Sequence, residues 1–422
     1  MADHGLMPRS IHVIGAGLAG LSAGVRLAGA GHAVTVHEAA PQAGGRCRSY
    51  FDQTLGMAID NGNHLVLSGN RATLGFLATI GSSDRLVGPA TAAVDFIDLA
   101  TRERWTLRPN EGRMPWWIFD AGRRVPGTVS FDYLAAAARL LWASPAQRID
   151  QVLTCSGPLY DRLLHPLLLA ALNTEPPAAS AALARTVIAE TLGAGGAACR
   201  PLIARDGLGA AFIEPALEFL AQHGATICFG HRLRAIEARG DRVEGLDFGE
   251  DTIPIGAEDA AILAVPPPVA TALIPGLSAP TEFRAIVNAH FRIAPPATLP
   301  PMIGVINGIV EWIFAFPDRL AVTISGADRL LDTPREELAA LLWRDVAQVA
   351  GLADSMPPWQ IVRERRATFA ATPEQDALRP GPQTPWTNLV LAGDWTATGL
   401  PATIEGAIRS GNRAAERVAT GV

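Results

Sequence analysis

The chain has 422 residues, 35 lysines and arginines against 41 acids, and a formal net charge of −6. That length exceeds one compact core and predicts two domains, while the mildly acidic balance excludes a nucleic-acid surface built on net charge. Hydrophobic residues make up 49% and charged ones 18%, yet the most apolar stretches, 163–172 and 260–274, are cut by His165 and Pro166 or by Pro266-Pro267-Pro268 before they could span a bilayer.

The first predicted strand is the β-branched run Ile11–Ile14, and Gly15, Gly17 and Gly20 follow it as G-x-G-x-x-G. Leu21, Val25 and Leu27 then read as a helix ending near Gly29 and Gly31, and Ala33–His37 as a second strand closing on Glu38. The three glycines serve different ends. Gly15 permits a tight turn, Gly17 lets a pyrophosphate approach the backbone, and Gly20 allows close helix–strand packing. The helix N-terminus, with Leu18 and Ala19, offers free N–H groups to phosphates, and Glu38, followed by Ala39, can accept ribose hydroxyls.

A second glycine pair, Gly44-Gly45 before Arg46, lets the backbone pass close to a bulky ligand, and Arg46 can neutralise a phosphate. A nicotinamide enzyme has no need of this second loop, whereas an extended, permanently held flavin dinucleotide does. FAD is therefore the expected cofactor. Next, Met57–Asp60 reads as a strand end, Asn61-Gly62-Asn63-His64 as a polar turn and Leu65–Leu67 as another apolar run, a pattern that suits a turn folded onto something buried.

From about residue 72 the nucleotide pattern gives way. Strands are expected within Ala93–Leu107, a helix over Tyr133–Trp142, and a stop with a new N-cap at Ser144-Pro145. The run Leu163–Leu172 leads into Asn173-Thr174 and reads as core or as the wall of a greasy cavity. Around Gly207 the first pattern returns, with a helix Ala211–His223, strands Ala225–Phe229, Leu233–Ile236, Val243–Phe248 and Ala260–Val265, and Leu233 placed to contact an adenine. Strands at 303–309, 312–316 and 320–324 and a helix Arg335–Ala350, closed by Pro357-Pro358, follow. Finally Asn388–Ala392 is a buried strand running into Gly393 and Asp394, and Pro401–Gly411 begins a helix with an exposed N-terminus through Thr403 and Ile404. Such a helix end can stabilise negative charge on the flavin.

Cys47, Cys155, Cys199 and Cys228 are scattered without a C-x-x-C and suit a reducing cytosol, and the start of the chain shows no signal peptide. The nine histidines show no metal-ligand spacing, and no metal is expected.

The glycine box with Glu38, Gly44-Gly45-Arg46, Gly393-Asp394-Trp395 and Glu405-Gly406-Ala407 resemble the amine oxidase and phytoene desaturase superfamily of flavoproteins across essentially the whole chain. Within it, Asp60-Asn61-Gly62-Asn63-His64, Pro166-Leu167 with Ala170–Thr174, and Leu400–Gly406 are most similar to the hydroxysqualene dehydroxylases of bacterial hopanoid synthesis. The aromatic residue that this family often carries near His165 is not evident. The resemblance implies an α/β fold: a Rossmann-like FAD-binding domain (1–71, 201–280, 385–422) with an inserted α+β substrate-binding domain (72–200, 281–384). It also implies hydride transfer from reduced flavin to an allylic carbon of hydroxysqualene, with loss of water, to give squalene. Asp60, His64 and Asn173 are the expected polar, catalytic residues. FAD contacts are expected from Gly15, Gly17, Leu18, Ala19, Gly20, Glu38, Ala39, Gly44, Gly45, Arg46, Gly62, Asn63, His64, Leu233, Gly393, Asp394, Thr403 and Ile404.

The expected partners are a hydrophobic isoprenoid substrate, an external electron donor and prenyl synthases. A cytoplasmic location with peripheral attachment to the inner face of the cell membrane, through an apolar patch near Tyr133–Trp142, is expected. Alternatives are a carotenoid-type desaturase, an amine oxidase, for which a paired tyrosine cage is missing among only three tyrosines, and a non-catalytic flavin or lipid carrier.

Overall fold

The computed structural model describes residues 9–420; residues 1–8 and 421–422, at the outer ends of the expected FAD-binding segments, lie outside them. The chain enters through β1 (Ser10–Ile14), α1 (Leu18–Gly29) and β2 (Ala33–Glu38). β1 is central in a five-stranded sheet, between β2 and Ala260–Leu263, with Thr226–Phe229 and Leu389–Leu391 as edges. Every pairing in it is parallel. A parallel sheet covered on both faces needs apolar residues throughout, which is why Ile11, Val13, Ala261 and Ile262 are almost fully buried.

Helix packing against this sheet depends on missing side chains. A Cβ on Gly20 would lie 1.9 Å from the Gly15 carbonyl oxygen, and one on Gly411 only 2.1 Å from that of Ala19. α2 (Arg71–Thr79) and the C-terminal helix (Ile404–Thr420) join α1 in one core containing Leu21, Phe76, Leu77, Ile80, Ile408 and Ala414. The strand Leu86–Val87 pairs with Pro201–Ala204, which in turn pairs with Leu65–Leu67. Phe76, Leu77, Ile80 and Leu86 thus pack with the nucleotide-side core.

A second, seven-stranded sheet runs in the order 359–369, 283–291, 319–324, 312–316, 302–306, 94–98, 104–107. Strands 94–98 and 302–306 meet in it, through parallel pairing of Ile303 with Asp95. One face carries Phe96, Trp105, Trp312, Phe314 and Phe316, which share a core with Tyr160, Leu163 and Leu168. The other face packs Val287, Ile313 and Val322 against Leu338, Leu342 and Trp343 of the helix Arg335–Ala350.

Several local expectations are corrected. Ser144-Pro145 does end α3 (Ser130–Leu141), but it opens only a turn closed by Gln147 N–H on the Ser144 carbonyl. The helix Arg335–Ala350 stops at Gly351 in a left-handed cap (φ +67°), before the prolines. Those prolines lead into the long strand Trp359–Phe369, whose charged centre Arg363–Arg366 hides its alternation. Leu233 precedes the strand Ala235–Arg239 and packs in the core. The C-terminal helix does not open to solvent: Ile404 and Glu405 are buried, and Glu405 accepts the Ala72 and Thr73 N–H groups at the start of α2.

Candidate active site

Both glycine loops and the end of the chain converge on one cleft. Gly15 has φ +108°, and its N–H donates to the His37 carbonyl at 2.7 Å. No side chain caps α1, so its first turn keeps free donors and the positive end of its dipole. A Cβ on Gly17 would meet nothing within 4 Å, whereas one on Gly45 would lie 3.5 Å from the Gly17 Cα. Gly44 N–H donates to the Ala16 carbonyl at 2.8 Å, fixing the second loop beside the first. The result is a backbone-lined cradle with room at Gly17, which fits an extended dinucleotide.

Glu38 stands at the rim. One carboxylate oxygen accepts Ala16 N–H and the other Ala40 N–H, each at 2.8 Å, leaving each oxygen a lone pair for a ribose hydroxyl. Arg46, expected to face a phosphate, instead pairs with Asp394 at 2.7 Å and also donates to the Ala367 carbonyl. Asp394 in turn sits on a braced turn: Arg379 donates to its carbonyl and to that of Thr396, and Ser410 Oγ accepts Gly393 N–H. Thr403 Oγ1 accepts Gly406 N–H at 3.0 Å and starts the C-terminal helix.

The turn 60–64 closes the site from the other side. A small cavity is lined by Asp60, Asn63, His64, Leu208, Phe314 and Phe316. Asp60 is buried and accepts Ser49 Oγ–H at 2.5 Å and Leu208 N–H at 2.8 Å. Burial raises its carboxyl above the ordinary value, against those two hydrogen bonds and the nearby Arg319 guanidinium. His64 is half-buried and makes no hydrogen bond among the described residues. Burial, helped by Arg46 and opposed by Asp394, pushes its imidazole down to about 4, so it is neutral at neutral pH. Between them, Gly62 and Asn63 lie over Asn288, whose side-chain oxygen accepts Thr323 Oγ–H at 2.8 Å and faces Asn63 N–H at 3.4 Å.

Asn173 does not join this group. It is buried at φ +47°, its Nδ2 donates to Thr368 and to the Arg284 carbonyl, and its Oδ1 accepts Gly326 N–H at 2.7 Å. Its hydrogen-bonding groups are consumed in tying three segments together. Leu233 packs its side chain in the core, as described. Near His165, by contrast, an aromatic ring is present: Tyr160 meets it edge-on at 5.7 Å between centroids.

Sequence reasoning missed Asn288, His290, Arg319 and Glu311. His290 Nε2–H donates to the Asp60 carbonyl at 3.1 Å, and burial pushes the ring down to about 3. Arg319 covers the Phe316 ring at 4.0 Å, with a guanidinium nitrogen 4.0 Å from Asp60. Polar residues inside otherwise apolar strands were the available signal for the first three.

The profile of the family described as flavin containing amine oxidoreductase matches residues 18–419. A hydroxysqualene dehydroxylase from Rhodopseudomonas palustris is 60% identical over 98% of this chain and 99% of its own length. One from Sinorhizobium fredii is 56% identical over 97% and 98%. The chain belongs to the hydroxysqualene dehydroxylases of the flavin-containing amine oxidoreductase family. Among solved structures, cyclohexylamine oxidase from Brevibacterium oxydans superimposes with a TM-score of 0.73, covering 98% of this chain and 99% of that one at 15% identity. The fold is thus the amine oxidase fold, and this family member is an FAD-dependent oxidoreductase.

Proposed function

We propose that this chain reduces hydroxysqualene to squalene. The observation that carries the reading is near-full-length identity to relatives named for that activity, which does not favour a carotenoid-type desaturase. When bound, reduced FAD supplies the hydride. Gly15, Gly17, Gly20, Glu38, Gly44 and Gly45 would hold the dinucleotide, with the Arg46–Asp394 pair flanking it. On the reading, the allylic C–O bond would break as the new C–H bond forms, and the departing hydroxide would leave as water with the second proton that the reduced cofactor gives up on oxidation.

His64, neutral and with no hydrogen bond among the described residues, donates a hydrogen bond to the leaving hydroxyl. Asp60 positions the turn that carries it, rather than touching substrate. The face bearing Phe96, Trp312, Phe314 and Phe316 excludes water and offers π-electrons to a carbon developing positive charge. Functionally the chain divides into an FAD-binding part around the parallel sheet and a substrate-binding part around the seven-stranded one. Electrons come from a separate donor, and prenyl synthases are the enzymes that would hand on substrate.

The substrate dissolves in lipid, and among the described residues no helix is long and apolar enough to cross a membrane. Peripheral contact with the inner face of the cell membrane is therefore part of the reading. Met114, Trp116, Phe119, Val129, Phe131, Leu134, Leu141 and Trp142 are all exposed, the last at 85%. They form two neighbouring segments with exposed Arg113, Arg123 and Arg139 among them, a combination suited to an anionic lipid surface. Flotation with anionic vesicles should carry the wild type and leave a Trp116→Ser, Phe131→Ser, Trp142→Ser variant behind; wild type remaining in solution would remove this element.

The activity itself is tested by anaerobic single turnover. Reduced holoenzyme mixed with hydroxysqualene should reoxidise in step with squalene formation. A reduced enzyme that stays inert while the oxidised form is bleached by a polyene precursor would replace the proposal with desaturation.

A further inference from the structure

We propose that His37, Cys228 and His231 form a binding site for Zn2+. The sequence conceals it, because the three residues come from β2, the edge strand Thr226–Phe229 and the turn after that strand. Parallel pairing sets Cys228 directly beside His37. The donor atoms of all three lie within 4.8 Å of one another. Zn–N bonds near 2.0 Å and Zn–S bonds near 2.3 Å in a tetrahedron separate ligand atoms by roughly 3.5 Å, so small side-chain movements complete the site.

The surrounding shell supports the assignment. His37 and His231 turn their Nδ1 atoms toward each other at 2.9 Å. Their outer nitrogens are both engaged: His37 Nε2 with His12 Nδ1 at 3.1 Å, His231 Nε2 with the Asp251 carboxylate at 3.2 Å. Metal-binding histidines characteristically have the distal nitrogen held in this way, by a carboxylate above all. His231 is further fixed by stacking on Phe248 at 3.8 Å between centroids. Cys228 is a free thiol that makes no hydrogen bond among the described residues. Two nitrogens and a sulfur with one position left for water suit Zn2+ better than the hard, oxygen-seeking Mg2+ or Ca2+.

The protons balance. Without metal, each imidazole can donate along the row, from His12 through His37 and His231 to Asp251. On binding, His37 carries its proton on Nε2 and donates to His12, which then carries its own on Nε2, while Cys228 loses its thiol proton to solvent. One proton is released per ion. Because His231 N–H also donates to the Glu38 carbonyl at 2.9 Å, the ion would pin the sheet edge next to the rim of the dinucleotide cleft.

The test uses FAD-loaded full-length protein, stripped with a chelator and titrated with Zn2+ against a chromophoric competitor. One equivalent should bind, with about one proton released, and X-ray absorption should find one sulfur near 2.3 Å with nitrogens near 2.0 Å. Asp251→Asn should weaken binding about tenfold by replacing the carboxylate that holds His231 Nε2–H with a neutral, weaker acceptor. Cys228→Ser should lose the sulfur signal, and His231→Ala the stoichiometric binding, with flavin content reporting that each variant is folded. Absence of one tight equivalent in wild type, or a zinc environment lacking sulfur, would overturn the site and leave a hydrogen-bonded histidine row; this readout needs no variant to fold.

Discussion

Arg46 and Asp394 are 348 residues apart in sequence, and their side chains meet at 2.7 Å. The acid is buried and the guanidinium half-exposed, so the pair links the second glycine loop to the last strand of the parallel sheet in a partly screened setting. Removing Arg46 leaves a buried carboxylate without its charged partner. Arg46→Ala should weaken FAD retention about tenfold to a hundredfold, the range for a charge-assisted hydrogen bond. Flavin fluorescence on dilution measures it, and an unchanged off-rate would show that the pair lies outside the binding determinants.

Gly17 and Gly20 should separate binding from folding. A Cβ at 17 has open space, whereas at 20 it would collide with the Gly15 carbonyl at 1.9 Å. Gly17→Ala is expected to keep the apoprotein melting temperature and lose FAD affinity. Gly20→Ala should lose the fold itself, seen as aggregation or a large drop in melting temperature. Equal behaviour of the two would contradict the cradle.

His64 has its pKa pushed down from 6.5 to about 4. Turnover should therefore be insensitive to this ring across neutral pH, and protonation near pH 4 leaves it a hydrogen-bond donor, so the ring itself imposes no loss of turnover there. The unfolded chain binds the proton more readily than the folded one, so stability is present above about 6.5 and is lost as pH falls toward 4. His64→Leu should lower kcat about a hundredfold and His64→Gln less, because the amide still donates a hydrogen bond. A pH–rate profile of the three proteins decides it; a His64→Leu enzyme as active as wild type would dismiss the residue from the chemistry.

Asn173 is expected to act on stability. Asn173→Ala removes hydrogen bonds to Thr368, Arg284 and Gly326 and places alanine at φ +47°, at a cost of about 3 kcal/mol. Denaturant melts should register the loss, while kcat per bound flavin stays near wild type. A selective loss of kcat in a stable protein would return Asn173 to the catalytic set.

Glu311 gives the opposite pH signature. Its Oε2 accepts Ser325 N–H at 2.8 Å, while Oε1 has no hydrogen-bond partner among the described residues and lies 3.9 Å from Arg329. Burial pushes the carboxyl up from 4.5 to about 7. Its contribution is complete below about 4.5 and is lost as pH rises through 7. Glu311→Gln should flatten that part of the melting-temperature profile and gain most over wild type at about pH 8.

The legible parts of this molecule are those whose physics is local. Gly15 to Glu38 contains a turn, a helix start and a strand end within one βαβ unit, and each element forms as its residues dictate. Arg46 and Asp394 are both motif residues, yet their pairing depends on the closure of the whole chain. Asn173 looked catalytic because a polar residue after an apolar helix suggests a pocket edge; its left-handed backbone and three long-range hydrogen bonds supply the other reason for an asparagine there. Asn288, His290 and Arg319 lie on neighbouring antiparallel strands, and only the sheet register places them beside residues 60–63. The same holds for His37, Cys228 and His231, which no linear spacing joins.

The parallel sheet also has a consequence in time. Its edge strand Leu389–Leu391 and the helix Ile404–Thr420 that packs on α1 lie far along the chain from the glycine box. A ribosome adding about 5–20 residues per second exposes the glycine box tens of seconds before those pieces emerge. During that interval the nascent chain presents an unfinished parallel sheet and an uncovered helix face. Cofactor capture thereby waits for the strand Leu389–Leu391 and the helix after it, and a chain terminated before them would leave the glycine-box motif as a substrate for proteases.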